Sequence, residues 1–227
     1  MSPLLPFAAA LALAAPTDAP APLRYVRPAG DKFVRECEVA TTRTDAGSTV
    51  VSTTDRGKAK MTLTLRYDKD GRLTSAEAVL ADSTGTHTAL LTVKGNAATL
   101  KRGGTSDFLK LPPAPVVTTA PDWSDVFQLV RRYDAKRAGK QEFDGVWIHP
   151  TQGTLTLKFT VEHVGPDQAT AKGGKLTLDH YRVRLRSGFY HVWADGDRKV
   201  YKILPAGPRG GAPVVLEGFE EATRDLK

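Results

Sequence analysis

Cysteine is almost missing from this chain: Cys37 is the only one in 227 residues. No intramolecular disulfide can form, so the apolar core alone must hold the fold. Long apolar runs are also missing beyond the first sixteen residues, since charge breaks every later one within about ten positions, and no transmembrane span is expected. Catalytic signatures are scarce as well. There is no G-x-S-x-G elbow, no H-E-x-x-H pair, and no match to the phosphate loop G-x-x-x-x-G-K-[ST]. The glycine-rich stretches "KRGGTSD" and "AGPRGGAP" therefore read as turns.

The N-terminus, "MSPLLPFAAALALAAP", has an apolar run too short to cross a bilayer and ends in Ala12-Leu13-Ala14, a small-x-small cleavage pattern. Residues 1–14 are expected to be a secretory signal, which places the mature protein in the periplasm or outside the cell. Residues 15–30, rich in Pro and Ala, read as an extended linker. The net charge of +7 would suit an acidic partner, although export makes nucleic acid the least expected one.

From Asp31 onward the pattern has period two. "KMTLTLRY" sets Met61, Leu63 and Leu65 on one face and Thr62, Thr64 and Arg66 on the other, as in a half-buried antiparallel strand. Similar segments recur every ten to fourteen residues between Gly, Asp and Asn turns, which predicts a meander. In "LRYDKDGRLTSAEAV" the turn is Asp68-Lys69-Asp70-Gly71, and Asp195-Gly196-Asp197 in "YHVWADGDRKVYKI" echoes it. Between the two β blocks, prolines in "LPPAP" suit a crossover but not a central strand. Trp123, Val126, Phe127 and Val130 then form one helical stripe, predicting a helix over Trp123 to Arg137 with Asp122 or Ser124 as N-cap and Gly139 as its stop. The expected fold is mainly β: a curved antiparallel sheet or open half-barrel in one domain over residues 31–204, with this one main helix packed on it. Residues 205–227 read as a Gly/Pro loop and a polar tail.

Candidate chemistry is thin. A calcium loop counted from Asp68 meets Arg72 at its fifth position and Val79 at its twelfth; counted from Asp195 it meets Lys199 and Ala206, so both pairs read as turns. Cys37 alternates with Phe33, Arg35 and Val39, as a buried and inert thiol would. His87, His149, His163, His180 and His191 lack metal-site spacing, although His180 and His191 would meet if their strands pair. No catalytic residue, cofactor or metal site is assigned. The best binding feature is the row Arg182, Arg184 and Arg186, whose guanidiniums stand about 7 Å apart on one strand face, with possible help from Arg131, Arg132, Lys136 and Arg137.

The "VWADGDRKVYKI" hairpin, notably Val192, Trp193, Asp195 and the return strand Val200 to Ile203, together with "SDVFQLVRRYD", resembles exported bacterial β-rich domains of unknown function that are similar to the lipoprotein-localisation carriers. That resemblance implies a half-barrel lidded by helix, with an apolar cavity for acyl chains; it transfers no cavity residue. The expected function is non-catalytic binding of a lipid or other amphipathic envelope ligand, or of a protein partner. A hydrolase using His149, His163, His180, His191 and nearby acids, and adhesion to an acidic polymer through the arginine row, are the alternatives.

Overall fold

The computed structural model describes residues 20–226 except 121, 172–173, 186–187 and 208–209, so the expected signal at 1–14 and Arg186 lie outside the described residues. Eight strands come first: β1 (Leu23–Ala29), β2 (Lys32–Thr44), β3 (Gly47–Asp55), β4 (Ala59–Asp68), β5 (Leu73–Asp82), β6 (Gly85–Lys94), β7 (Ala97–Arg102) and β8 (Thr105–Lys110). After the crossover follow β9 (Val116–Thr118), the helix α1 (Ser124–Arg132), and β10 (Lys140–His149), β11 (Gly153–Ala171), β12 (Gly174–Leu185), β13 (Gly188–Ala194), β14 (Val200–Ala206) and β15 (Val214–Leu216).

All these strands belong to one sheet, ordered β8-β7-β6-β5-β4-β3-β2-β1-β15-β14-β13-β12-β11-β10-β9, whose two ends are not hydrogen-bonded to each other. Neighbours are antiparallel except β9 and β10, which run parallel. The period-two pattern becomes burial directly: Met61, Leu63 and Leu65 are buried while Thr62, Thr64 and Arg66 are half-buried or exposed. Each such leucine contributes roughly 1.5–3 kcal/mol on leaving water.

Two apolar clusters show how the sheet curls. In one, Met61, Leu63, Leu91 and Leu100 of the N-terminal strands meet Val117, Val146 and Ile148 of β9 and β10, so the far end of the sheet folds back onto its beginning. In the other, Val126, Phe127, Leu129 and Val130 of α1 are buried against Tyr181, Val183, Val192 and Ile203. Close packing among β9, β10 and β11 leaves no room for a side chain at Gly145, where a Cβ would lie 2.1 Å from the Phe159 ring and 2.8 Å from the Val116 carbonyl oxygen.

Several expected boundaries move. The presumed linker contains β1, and β15 pairs with both β1 and β14, so the sheet is continuous only with residues placed outside the 31–204 domain. The helix covers Ser124–Arg132 rather than Trp123 to Arg137. Trp123 occupies its cap position without a side-chain cap bond. Neither proposed cap residue sits there, although Asp122 Oδ2 accepts the Ser124 N–H at 2.9 Å. The chain leaves the helix early because Tyr133 is already extended and Asp134 Oδ1 accepts the Lys136 N–H at 2.9 Å, closing a turn well before Gly139.

The two aspartate turns share one construction. Asp68 Oδ1 accepts the N–H groups of Asp70 and Arg72, both at 2.9 Å, and Asp195 Oδ1 accepts those of Asp197 and Lys199, both at 3.0 Å. The left-handed position differs from the expected Asp-Gly site in the second turn. Gly71 takes it in the first with φ 75°, but Arg198 takes it in the second with φ 64°, not Gly196. A non-glycine there costs on the order of 1 kcal/mol. The Arg198 guanidinium lies 5.3 Å from the Tyr181 ring and 5.9 Å from the Tyr133 ring, a compensating cation–π contact.

The C-terminal tail packs. Lys202 Nζ donates to the carbonyls of Thr223 at 2.6 Å and Leu226 at 2.7 Å and lies 5.5 Å from the Trp193 ring. Buried Cys37 behaves as expected, with desolvation pushing its thiol pKa up to about 12.

The helix entrance is tied to the N-terminal strands by Glu36, only 2% exposed. Its Oε2 accepts from Arg27 Nε at 2.7 Å, and its Oε1 from Arg56 Nε at 3.2 Å and Trp123 Nε1 at 3.3 Å. Replacing it strands the buried Trp123 indole N–H and removes the ion-pair partner of the half-exposed Arg27 and Arg56. Glu36→Ala is expected to lower unfolding free energy by roughly 2–3 kcal/mol in urea titration, whereas an unchanged midpoint would refute this anchoring role.

Candidate functional site

Where the curled ends of the sheet face each other beside the start of α1, the protein has an open groove of about 920 Å³. Its apolar and aromatic lining is Trp147, Leu157, Phe159, Leu185 and Tyr190 from β10 to β13, with Trp123 at the helix entrance. Its polar lining includes Thr118, Thr119, Asp122, Asp125, Arg56 and His149, the last stacked on Trp147 with ring centroids 5.3 Å apart. The groove lies at the N-terminal end of α1, and a smaller hollow of about 260 Å³ runs between the helix and the N-terminal strands.

Asp122 and Asp125 are placed by the short stretch between β9 and α1. Asp122 Oδ1 accepts from Ser52 Oγ at 2.6 Å, and Asp125 Oδ2 accepts from Thr118 Oγ1 at 2.9 Å. Desolvation raises both carboxyl pKa values, and the nearby Asp122 charge adds to the rise at Asp125, which reaches about 7. Asp125 thus sits between its neutral and ionised forms near neutral pH, as hydrogen-bond donor in one and anion in the other. His149 is fixed nearby in the groove wall. Its Nδ1 accepts the N–H groups of Thr151 at 3.2 Å and Gln152 at 3.3 Å, and its other edge bonds the Ala120 backbone. Burial lowers its pKa, keeping the ring neutral.

The remaining histidines go elsewhere. His87 bonds Thr84 in an exposed turn, and His163 pairs with Asp179 at 3.1 Å beside Tyr133 and Tyr181. His180 and His191 meet as the strand pairing suggested, 2.7 Å apart, because Arg182 pairs with His191 and His180 with Trp193 across β12 and β13. Of the arginine row, Arg182 and Arg184 project from the outer face of β12 into a separate hollow of about 620 Å³ shared with Lys140, Glu162, Phe189 and His191. Arg131 and Arg132 do not join them; they line another hollow with Arg43 and Tyr67. Lys136 and Arg137 are exposed in the turn after α1.

Sequence reasoning missed Asp122, Asp125 and Glu36 as a group. The only available signal was an acid at each end of a Trp-Ser pair opening a helix, which reads as ordinary capping until the fold-back buries it. Among the described residues no group of three or more His, Cys, Asp or Glu side chains could hold a metal ion, and no helix is long and apolar enough to cross a membrane.

No family model matches the chain, and no curated protein matches it. Among solved structures, a β-barrel-like protein of the domain of unknown function DUF1849 from Brucella abortus superposes with a TM-score of 0.52 at 9% identity, covering 86% of this chain and 93% of its own. The chain shares that β-barrel-like fold. A DUF1089 family protein from Pseudomonas aeruginosa, with a TM-score of 0.46 and 16% identity over 76% of this chain and 91% of its own, adds nothing to that assignment.

The raised Asp125 pKa has a consequence for stability. Between its ordinary value of 3.8 and about 7 the folded state holds a proton that the unfolded state has released, so this residue makes stability fall as pH rises through that window. Asp125→Asn keeps an acceptor and removes the titration. The variant is therefore expected to show a flatter Tm profile from about pH 4 to 7 than the parent protein, and parallel profiles in differential scanning calorimetry would contradict the assignment.

Proposed function

We propose that this is an exported, non-catalytic binding protein of the cell envelope or the extracellular space, holding an amphipathic ligand in the groove at the start of α1. The observation that carries this reading is the mixed lining of the groove, large apolar side chains together with buried acids and hydroxyls. An apolar body would lie along Trp147, Leu157, Leu185 and Tyr190, where it leaves water. A hydrogen-bonding head would reach Asp122, Asp125 and the Thr118–Thr119 edge, which line the same groove. The resemblance of the "VWADGDRKVYKI" hairpin to lipoprotein-localisation carriers supports a lipid as that amphiphile. Here the ligand would lie beside the helix end rather than beneath the helix, since α1 itself fills the middle of the concave face.

A hydrolase reading draws on Asp125, whose pKa of about 7 suits proton transfer. Binding is favoured over it because, of His149, His163, His180 and His191, only His149 lines the groove.

Solvent extraction of freshly purified full-length protein is expected to release a bound amphiphile detectable by mass spectrometry. Leu157→Arg puts a charge on the apolar wall at a half-buried position and is expected to empty the groove while leaving the circular dichroism spectrum unchanged. An empty extract from the parent protein, or an equal load in the variant, overturns the reading.

A further inference from the structure

The C-terminal strands carry a second site, which meets the groove at Leu185. Strand pairing sets Lys140, Glu162, Arg182 and His191 in one rank across β10 to β13. In the next rank Thr160, Arg184 and Phe189 are aligned in the same way. Both ranks line the hollow of about 620 Å³.

His191 is held in a defined tautomer there. Its Nδ1 lies 2.7 Å from His180 Nε2, and His180 Nδ1 faces Asp167 Oδ2 at 3.4 Å. A carboxylate only accepts, so the proton of neutral His180 belongs on Nδ1 and its Nε2 is a lone pair. His191 Nδ1 must then carry the proton that joins the two rings, which leaves the unprotonated Nε2 of His191 for the hollow. The arrangement is braced from behind. Trp193 Nε1 donates to Asp167 Oδ2 at 2.7 Å, and the indole stacks on the His180 ring at 4.6 Å. Burial lowers both histidine pKa values, helped at His180 by the His191 ring and at both by Arg182, so the relay is neutral at pH 7.

The charges facing His191 come from several strands. Arg182 and His180 belong to β12, Asp167 and Glu162 to β11, and Lys140 closes the rank on β10. On β14 the opposite residue is the uncharged Leu204, and Lys202 is occupied by the tail carbonyls. Glu162 Oε2 holds Arg182 Nη1 at 3.3 Å, which orients that fork and adds one negative charge to the hollow.

We propose that this hollow binds a phosphomonoester, with Arg182 and Arg184 donating to its anionic oxygens and His191 Nε2 accepting the hydrogen bond of its P–OH. A carboxylate has no proton to offer a fixed lone pair at neutral pH. A phosphomonoester, with a second pKa near 6, holds one at little cost. Glu162 favours the same choice, because it penalises a dianion more than a monoanion. The phosphate could belong to a soluble metabolite or to a lipid headgroup.

Calorimetric titration of the full-length protein at about pH 6.5, where both protonation states of the phosphate are populated, separates these outcomes. The probes are glycerol phosphate, glycerol sulfate, and phosphatidylcholine vesicles with and without phosphatidic acid. Saturable binding of glycerol phosphate, about tenfold tighter than of the sulfate that cannot donate, is expected. Binding only to vesicles containing phosphatidic acid would support the site with a lipid source. Arg184→Ala, which leaves the relay intact, should weaken binding on the order of tenfold or more, and His191→Leu should abolish the preference for phosphate over sulfate. The proposal is overturned if no phosphate probe binds at millimolar concentration, if sulfate binds as well as phosphate, or if Arg184→Ala leaves affinity unchanged.

Discussion

The arrangement of this molecule rests on one buried carboxylate. Glu36 sits on β2 with almost no solvent contact and gathers Arg27 from β1, Arg56 from the turn before β4, and the indole of Trp123 at the start of α1. An ionised group taken out of water is costly unless its lone pairs are filled, and here every partner that fills them comes from a different segment. The helix is thereby pinned by its entrance to the N-terminal strands while its apolar residues are buried against the C-terminal strands. One side chain therefore fixes the position of the helix relative to both halves of the sheet.

That pinning creates the groove. A helix of nine residues cannot fill the whole concave face of so long a sheet, so space remains beside its first turn. The same first turn carries Asp122 and Asp125, which desolvation keeps closer to neutral than a surface aspartate. Fold-back of the C-terminal strands brings Trp147, Leu157, Phe159, Leu185 and Tyr190 to the same groove, and Gly145 permits the close pairing of β9, β10 and β11 because any side chain would strike Phe159 and Val116. On the other face, the tail and Trp193 cover part of the sheet and leave the His191 hollow open beside them.

Much of the fold was legible because strand signals are local. Alternation in "KMTLTLRY" survives as alternating burial, and both aspartate turns form through carboxylate bonds to backbone two and four residues ahead. β1 escaped notice because Pro28 within it suggested a linker. The strand tolerates that proline because β15 reaches only Tyr25 and Val26, so Pro28 lies beyond the doubly paired part. The helix end was misplaced because Asp134 offers a competing turn that a periodicity count does not weigh. Arg182 and Arg184 lie where a wet sheet face would put them, and the pairing of Arg182 with Glu162 and its place opposite His191 depend on register between strands.

The sequence by itself determined the antiparallel meander, its aspartate turns, the apolar stripe of α1 and the apolar setting of Cys37, since each depends on residues within about ten positions of one another. Only the tertiary structure decided that Asp125 would lose its water, that Glu36 would be enclosed by three distant donors, and that His180 would orient His191. These properties come from desolvation and from contacts between residues far apart in the chain, and neither quantity exists until the sheet has curled around the helix.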